Sequence, residues 1–288
     1  MNISKSIKTD LIEKIMFFVI KFLSYLVILF LLFILVFIFQ KGISAISWDF
    51  LFKMPKNEMT EGGILPAILG TIYLIIGSAL ISIPIGVSTA IYLTEYAKSQ
   101  RVVKIIRLGI NNLAGVPSVV FGLFGLSLFV FFLDFGTSIL AGSLTLGILN
   151  LPIIIRATEE SLQIVPHSFR EASLALGATK LQTIMKITVP NALPGILTGV
   201  MLSLGRAAGE TAPIMFTAAV FYTPDLPTSI YSEIMALPYH IYVMATSGVH
   251  IQETRGIQYG SAIVLIFLVL LFNSIGLYLR YKFKKRLS

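Results

Sequence analysis

Arg206 and Glu210 stand one helical turn apart inside an otherwise apolar run. Charges at such a depth in lipid are costly unless paired or wetted, and i,i+4 spacing lets these two side chains meet. Counting from Ala192, Arg206 lies about 21 Å along its helix, beyond the bilayer midplane. Pro213 follows and cannot continue the hydrogen-bond ladder, so a kink is predicted there. Irregular polar backbone at that depth is tolerated only where it lines protein or water. Two readings stand: a structural ion pair, or an anion pathway in which the planar guanidinium fork meets an oxyanion. His250 and Glu253 share helical spacing beside Arg255 but lack a third ligand, and read as a solvated loop rather than a metal site. Cysteine is absent, which removes Cys-ligated metals and a Cys nucleophile. No G-x-x-x-x-G-K-[ST] loop occurs, so the chain cannot itself hydrolyse ATP.

These residues sit in 288 residues that are 56% hydrophobic and only 12% charged, with mean hydropathy +0.88. A soluble domain carries about 25% charged residues, so a soluble enzyme or binding domain is excluded, as is a disordered chain. The net charge of +8 reads as loop cations beside a membrane, not as a nucleic-acid surface. Crossing the bilayer takes about 20 apolar residues, and six segments qualify: 22–39, 62–94, 108–133, 135–155, 187–205 and 259–279. The first is bulky and uniform and is expected at the lipid-facing periphery. Asn111, Asn112 and Pro117 predict a broken entry to the third. Gly195, Gly199, Gly205 and Gly209 give the fifth two small-xxx-small spacings, suited to close helix packing. Of the 22 cations, 17 fall on one side, four on the other (Lys41, Lys53, Lys56 and Arg255), and Arg206 lies within. Both termini are therefore expected in the cytoplasm.

Between the fourth and fifth crossings, residues 156–190 are polar and carry helix signals. Ser168 with Glu171 fits a capping box opening a helix over 169–176, and Gly177 suits its positive-φ end. Thr179 with Gln182 opens a second short helix to about Thr188, with Pro190 beyond it. His167 is expected to help start the first helix. Outside, Trp48 reads as an interfacial anchor leading an ordered loop to Glu61, and His240 with Tyr239 and Tyr242 as an interfacial aromatic patch.

Glu171-Ala172-Ser173, then Gly177, then nine residues to Ile187-Thr188-Val189-Pro190, resembles the EAA signature of ABC importer permeases. Ser173 replaces the third Ala and Val189 replaces Leu. The run Gly205 to Pro213, with Glu210-Thr211 at its centre and Phe216-Thr217-Ala218 after it, is similar to the fifth-helix motif of phosphate ABC transporter permeases of PstA type. Arg156 to Leu162 with Val165-Pro166 resembles the same family at the inner end of the fourth helix. The resemblance covers about residue 60 to the end. It implies an all-α integral membrane protein of six transmembrane helices, the type I ABC importer permease fold, with residues 1–61 preceding a permease core over 62–288 and a coupling loop over 157–190. It also implies a non-enzymatic permease subunit of an inorganic phosphate importer in a bacterial or archaeal cell membrane. Arg206, Glu210, Thr211 and Arg156 would line the substrate pathway, and Glu171, Ala172, Ser173, Gly177, Ile187 and Pro190 would meet the ATPase. The implied partners are a second permease subunit (PstC type), an ATPase dimer (PstB type) that uses ATP and Mg, and an extracytoplasmic phosphate-binding protein (PstS type). The chain itself would bind no cofactor. The alternatives are a permease for another oxyanion (sulfate, molybdate, phosphonate) and an integral-membrane enzyme. An enzyme would need convergent acid, base or metal ligands at one membrane face, whereas Glu210 has only Arg206 nearby.

Overall fold

The computed structural model describes residues 3–56, 59, 61–223, 225–246 and 254–287; His250 and Glu253 lie outside them. Among the described residues, five helices are long and apolar enough to cross a membrane, and a sixth is counted only if one helix pair bent by 100° is taken as a single span. Helix α1 (Ile3–Gly42) exposes almost every described side chain, as its uniform apolar surface leads one to expect. It is held at one end: Phe37 meets Tyr259 edge-on at 5.8 Å, and Gly42 lies so close to the Tyr259–Gly260 backbone that a Cβ would collide. Helix α2 (Trp48–Phe52), capped by the Ser47 hydroxyl, and the strand pair β1 (Pro55–Lys56) and β2 (Glu61–Gly62) order the outer loop, with Trp48 exposed.

The core is built on α3 (Leu65–Ile91), which continues into a π turn at Tyr92–Tyr96. Next comes α4 (Gln100–Ala114), and the expected broken entry to the third crossing is found, which moves the start of that crossing beyond residue 108. Residues 108–133 are not one helix: α4 ends at Gly115, and α5 (Ser118–Gly125), with its π extension Leu126–Phe132, leaves at 100°. Pro117 lacks an N–H and pushes Val116 out of the helical region, so the break falls there. The crossing that remains is about 22 Å long, short of roughly 30 Å of hydrocarbon. Helix α4 lies across the core instead, its Val103, Ile106 and Ile110 packed against Leu93 and Ile155.

Helix α6 (Ile139–Ile164) starts on the Ser138 side-chain cap and runs nine residues past the expected end of its crossing at 155, because Arg156 onward keeps helical geometry while leaving the apolar layer. Gly77 and Gly86 of α3 lie against Ser143 and Ile154 of α6, so these two helices run the same way. After α6 come α7 (His167–Ala175), α8 (Lys180–Thr183), α9 (Val189–Ala207) and α10 (Ala212–Thr217). Helix α9 runs antiparallel to α6, with Gly195 against the Ser161 side chain and Gly199 against Ala157; its small residues serve packing within the chain.

The end opposite the hairpin is closed by α11 (Leu237–Thr246) and the segment before it, and α12 (Arg255–Leu287) completes the bundle. The Thr71 hydroxyl accepts from Leu237 N at 2.8 Å and donates to Ala67 O, pinning this segment into α3. His240 is buried, and neither ring nitrogen has a partner among the described residues, so it belongs to the interior rather than to an interfacial patch.

Candidate functional site

The chemistry of the central site begins with a broken helix. Helix α9 stops at Ala207, a tight turn follows (Gly209 N to Arg206 O, 3.0 Å; Glu210 N to Ala207 O, 3.2 Å), and α10 starts afresh with Pro213 in its first turn. The expected kink is thus a full break, since proline is best tolerated where a helix begins. Helix α10 rests in a notch of α5: a side chain at Gly122 would strike Ala212 O, Pro213 and Phe216. That close approach holds Thr211 and Glu210 at the bundle's middle.

Arg206 Nε donates to Glu210 Oε1 at 3.1 Å, so the expected pair forms. Its two halves differ: the Glu210 side chain is 13% exposed, that of Arg206 49%. Among the described residues the Arg206 Nη groups donate to nothing, which leaves the outer edge of the fork without a partner there. Carrying the α6–α9 register on from Gly199 and Ala157 sets Arg206 level with Asn150. That level is about 16 Å from the start of α6. Asn150 is fully buried with both amide atoms unpartnered among the described residues. Sequence reasoning passed over it, though an amide in an apolar run is itself a signal.

Arg156 does not join this pair. It is exposed near the Lys/Arg-rich side, and its Nε (2.8 Å) and Nη2 both donate to Asn111 Oδ1 of α4. One turn away Arg107 Nε and Nη2 each reach Glu159 Oε1 at 3.1 Å. These contacts strap α4 to α6 across sequence separations that no local pattern shows.

The polar loop is a helix hairpin, with three differences from expectation. Helix α7 starts at His167 with Pro166 at its N-cap, so the Ser168–Glu171 capping box does not form. Extended Pro166 already sets the first turn, which puts Ser168 inside it. Second, the Thr179–Gln182 box is present, yet its helix does not stop near Thr188. It runs through a π turn at Ile184–Thr188 directly into α9, so Pro190 lies inside one continuous helix, where its missing N–H costs the ladder a bond beside the π turn. Third, α6 occupies the first part of the loop, so the projecting portion begins at Val165. As expected, Gly177 takes φ +83° and ends α7; Gly177 N reaches Leu174 O at 3.0 Å and Ala178 N reaches Ser173 O at 3.2 Å, a Schellman closure. Hydroxyls of Ser173 and Thr183, 2.9 Å apart, tie the two helices together. Glu171 and Ala172 are exposed, Ile187 and Pro190 half-buried, and Phe169, Leu174, Leu176 and Leu181 present large apolar groups at the tip.

The described residues form a helical bundle with a helix hairpin projecting between two of its spans and an ion pair at the break after α9, the architecture of a membrane permease subunit rather than of a soluble domain. Solved structures agree on the type I ABC importer permease fold. A bacterial ABC transporter involved in the import of the acidic polysaccharide alginate aligns over 96% of this chain and 98% of its own, with TM-score 0.67 and 16% identity. The MetNI methionine ABC transporter aligns over 76% and 97%, with TM-score 0.61 and 19% identity.

Residues 82–288 match the family described as binding-protein-dependent transport system inner membrane component, and the chain belongs to that family. Among its relatives is the probable ABC transporter permease protein YqgI of Bacillus subtilis (strain 168), 34% identical over 88% of this chain and 89% of the relative. The phosphate transport system permease protein PstA of Mycobacterium leprae (strain TN) is 37% identical over 95% and 89%. PstA 1 of Mycobacterium tuberculosis (strain ATCC 25618 / H37Rv) is 36% identical over 83% and 76%.

Proposed function

We propose that this chain is the permease subunit of an ATP-driven inorganic phosphate importer in the cell membrane, forming half of the translocation pathway. The observation that carries the reading is the open guanidinium fork of Arg206, held at mid-bundle by Glu210. Its likeness to PstA proteins over most of their length gives the anion its identity. A divalent anion crossing hydrocarbon needs fixed positive charge on the way, and a planar fork matches its oxygens. Glu210 takes the guanidinium back when phosphate leaves, so the cation is never stranded in lipid. Thr211, which follows Glu210 at the head of α10, belongs to the same pathway in this reading.

Phosphate arrives from an extracytoplasmic binding protein of PstS type, and a PstC-type permease supplies the other half of the pathway. A PstB-type ATPase dimer, which holds ATP and Mg, meets the α7–α8 hairpin through its exposed apolar tip and Glu171. The chain needs no cofactor of its own for this work. The test is uptake of labelled phosphate into vesicles bearing the reconstituted complex, with sulfate, molybdate and a phosphonate as competitors. Uptake blocked by unlabelled phosphate alone is expected; preference for another of these anions overturns the assignment.

Arg156 separates a pathway role from a structural one. If it meets phosphate at the inner mouth, Arg156→Gln slows release by about fivefold, the low end of ordinary coupling energies, whereas Asn111→Ala has little effect. If it only straps α4 to α6, the two variants slow release equally or not at all. Release kinetics measured after a single ATP pulse distinguish the cases.

A further inference from the structure

The coupling hairpin is fastened to the bundle by more than its own chain ends, and the fastening centres on Arg170. Its Nε and Nη2 donate to Glu95 Oε1 at 3.1 and 2.9 Å, joining α7 to the π turn that ends α3. Nη1 also donates to Val165 O at 2.7 Å and Nη2 to Leu162 O at 2.8 Å. Those carbonyls belong to the last turn of α6 and its cap, where a helix leaves acceptors unmatched and carries partial negative charge. The Arg170 and Glu95 side chains are only 13% and 10% exposed. The next residue of the π turn, Tyr96, lies under Lys180 of α8, with the ammonium 5.0 Å from the ring centre. Both helices of the hairpin therefore grip the same end of α3.

We infer that Arg170 is a positioning residue for energy coupling: it locks the hairpin to α3 and α6, so a displacement imposed at the hairpin is carried into the two central helices as well as into α9. The inference rests on the proposed ATPase-driven function. Without the clamp, α8 and α9 still form one helix, but α7 is joined to α6 only by the short link Val165–Pro166. Force at the tip then swings α7 on that link and reaches α3 only through the Lys180–Tyr96 contact and α6 only through α9. The clamp is also not an interchangeable ion pair, because the same guanidinium serves two carbonyls that a carboxylate would repel.

The experiment uses the full complex in vesicles with its binding protein, and reads ATP hydrolysed per phosphate imported. Arg170→Gln and Glu95→Gln are each expected to raise that ratio by about tenfold, within the usual range of coupling energies, while the ATPase still co-purifies. Arg170→Lys should fall between, since it keeps charge but not the spread of donors. The exchange Arg170→Glu with Glu95→Arg should not restore the ratio. An unchanged ratio in the single variants overturns the inference, and so does rescue by the exchange. If Arg170→Gln does not assemble, the milder Glu95→Gln decides; loss of assembly there too means a structural pair and overturns the positioning role. A wild-type complex that imports no phosphate refutes the functional reading instead.

Discussion

Arg206→Gln is expected to abolish phosphate uptake while the complex, ATPase included, is recovered in wild-type amount. The loss should be roughly a hundredfold or more, the scale found when a preorganised charged donor is removed from a site that excludes water. The structure sharpens the reason. Glu210 is the buried partner and Arg206 the half-exposed one, with only Nε engaged, so the fork can take an anion before Glu210 lets go. Arg206→Lys should retain partial uptake, because charge survives and the two-point geometry does not. A structural pair makes the opposite forecast: single variants lose the assembled complex, and Arg206→Glu with Glu210→Arg restores transport. Normal uptake by that exchange defeats the pathway role.

The coupling hairpin gives the second large effect. Gly177→Pro should abolish uptake with the protein still in the membrane. Residue 177 sits at φ +83°, which proline cannot adopt, and its N–H donates to Leu174 O, a bond proline lacks. The turn that orients α7 against α8 would be lost. Gly177→Ala meets open space and only the left-handed penalty of about 1–2 kcal/mol, so it should transport at reduced rate. Glu171→Lys should abolish uptake for a different reason. Glu171 is exposed and makes no ion pair among the described residues, so its charge is free for the ATPase. Normal uptake in both Gly177→Pro and Glu171→Lys, at unchanged abundance, would remove the hairpin from the coupling role.

Much of this was legible from the residues in order. Composition alone dictated a membrane protein, since half the usual charge cannot cover a watery surface. The Arg206–Glu210 pair, the Thr179–Gln182 box and the Gly177 terminus were also legible, because each is settled within about one helical turn by neighbours in sequence. Where two local rules competed, the tertiary structure chose. Pro166 outcompeted Ser168 as the cap of α7, and the helix opened at Thr179 carried on through Pro190, which was expected to lie beyond it. The contacts that make the bundle act as a unit left no trace in local pattern. Arg170 and Glu95 are 75 residues apart, Arg107 and Glu159 52, Arg156 and Asn111 45. Each of the charged partners reads locally as an ordinary cation or carboxylate near the membrane edge, and Asn111 as part of a helix break. Only the packing of α3, α4, α6 and α7 brings them within hydrogen-bond distance, because side-chain partners that distant in sequence are chosen by where whole helices come to rest.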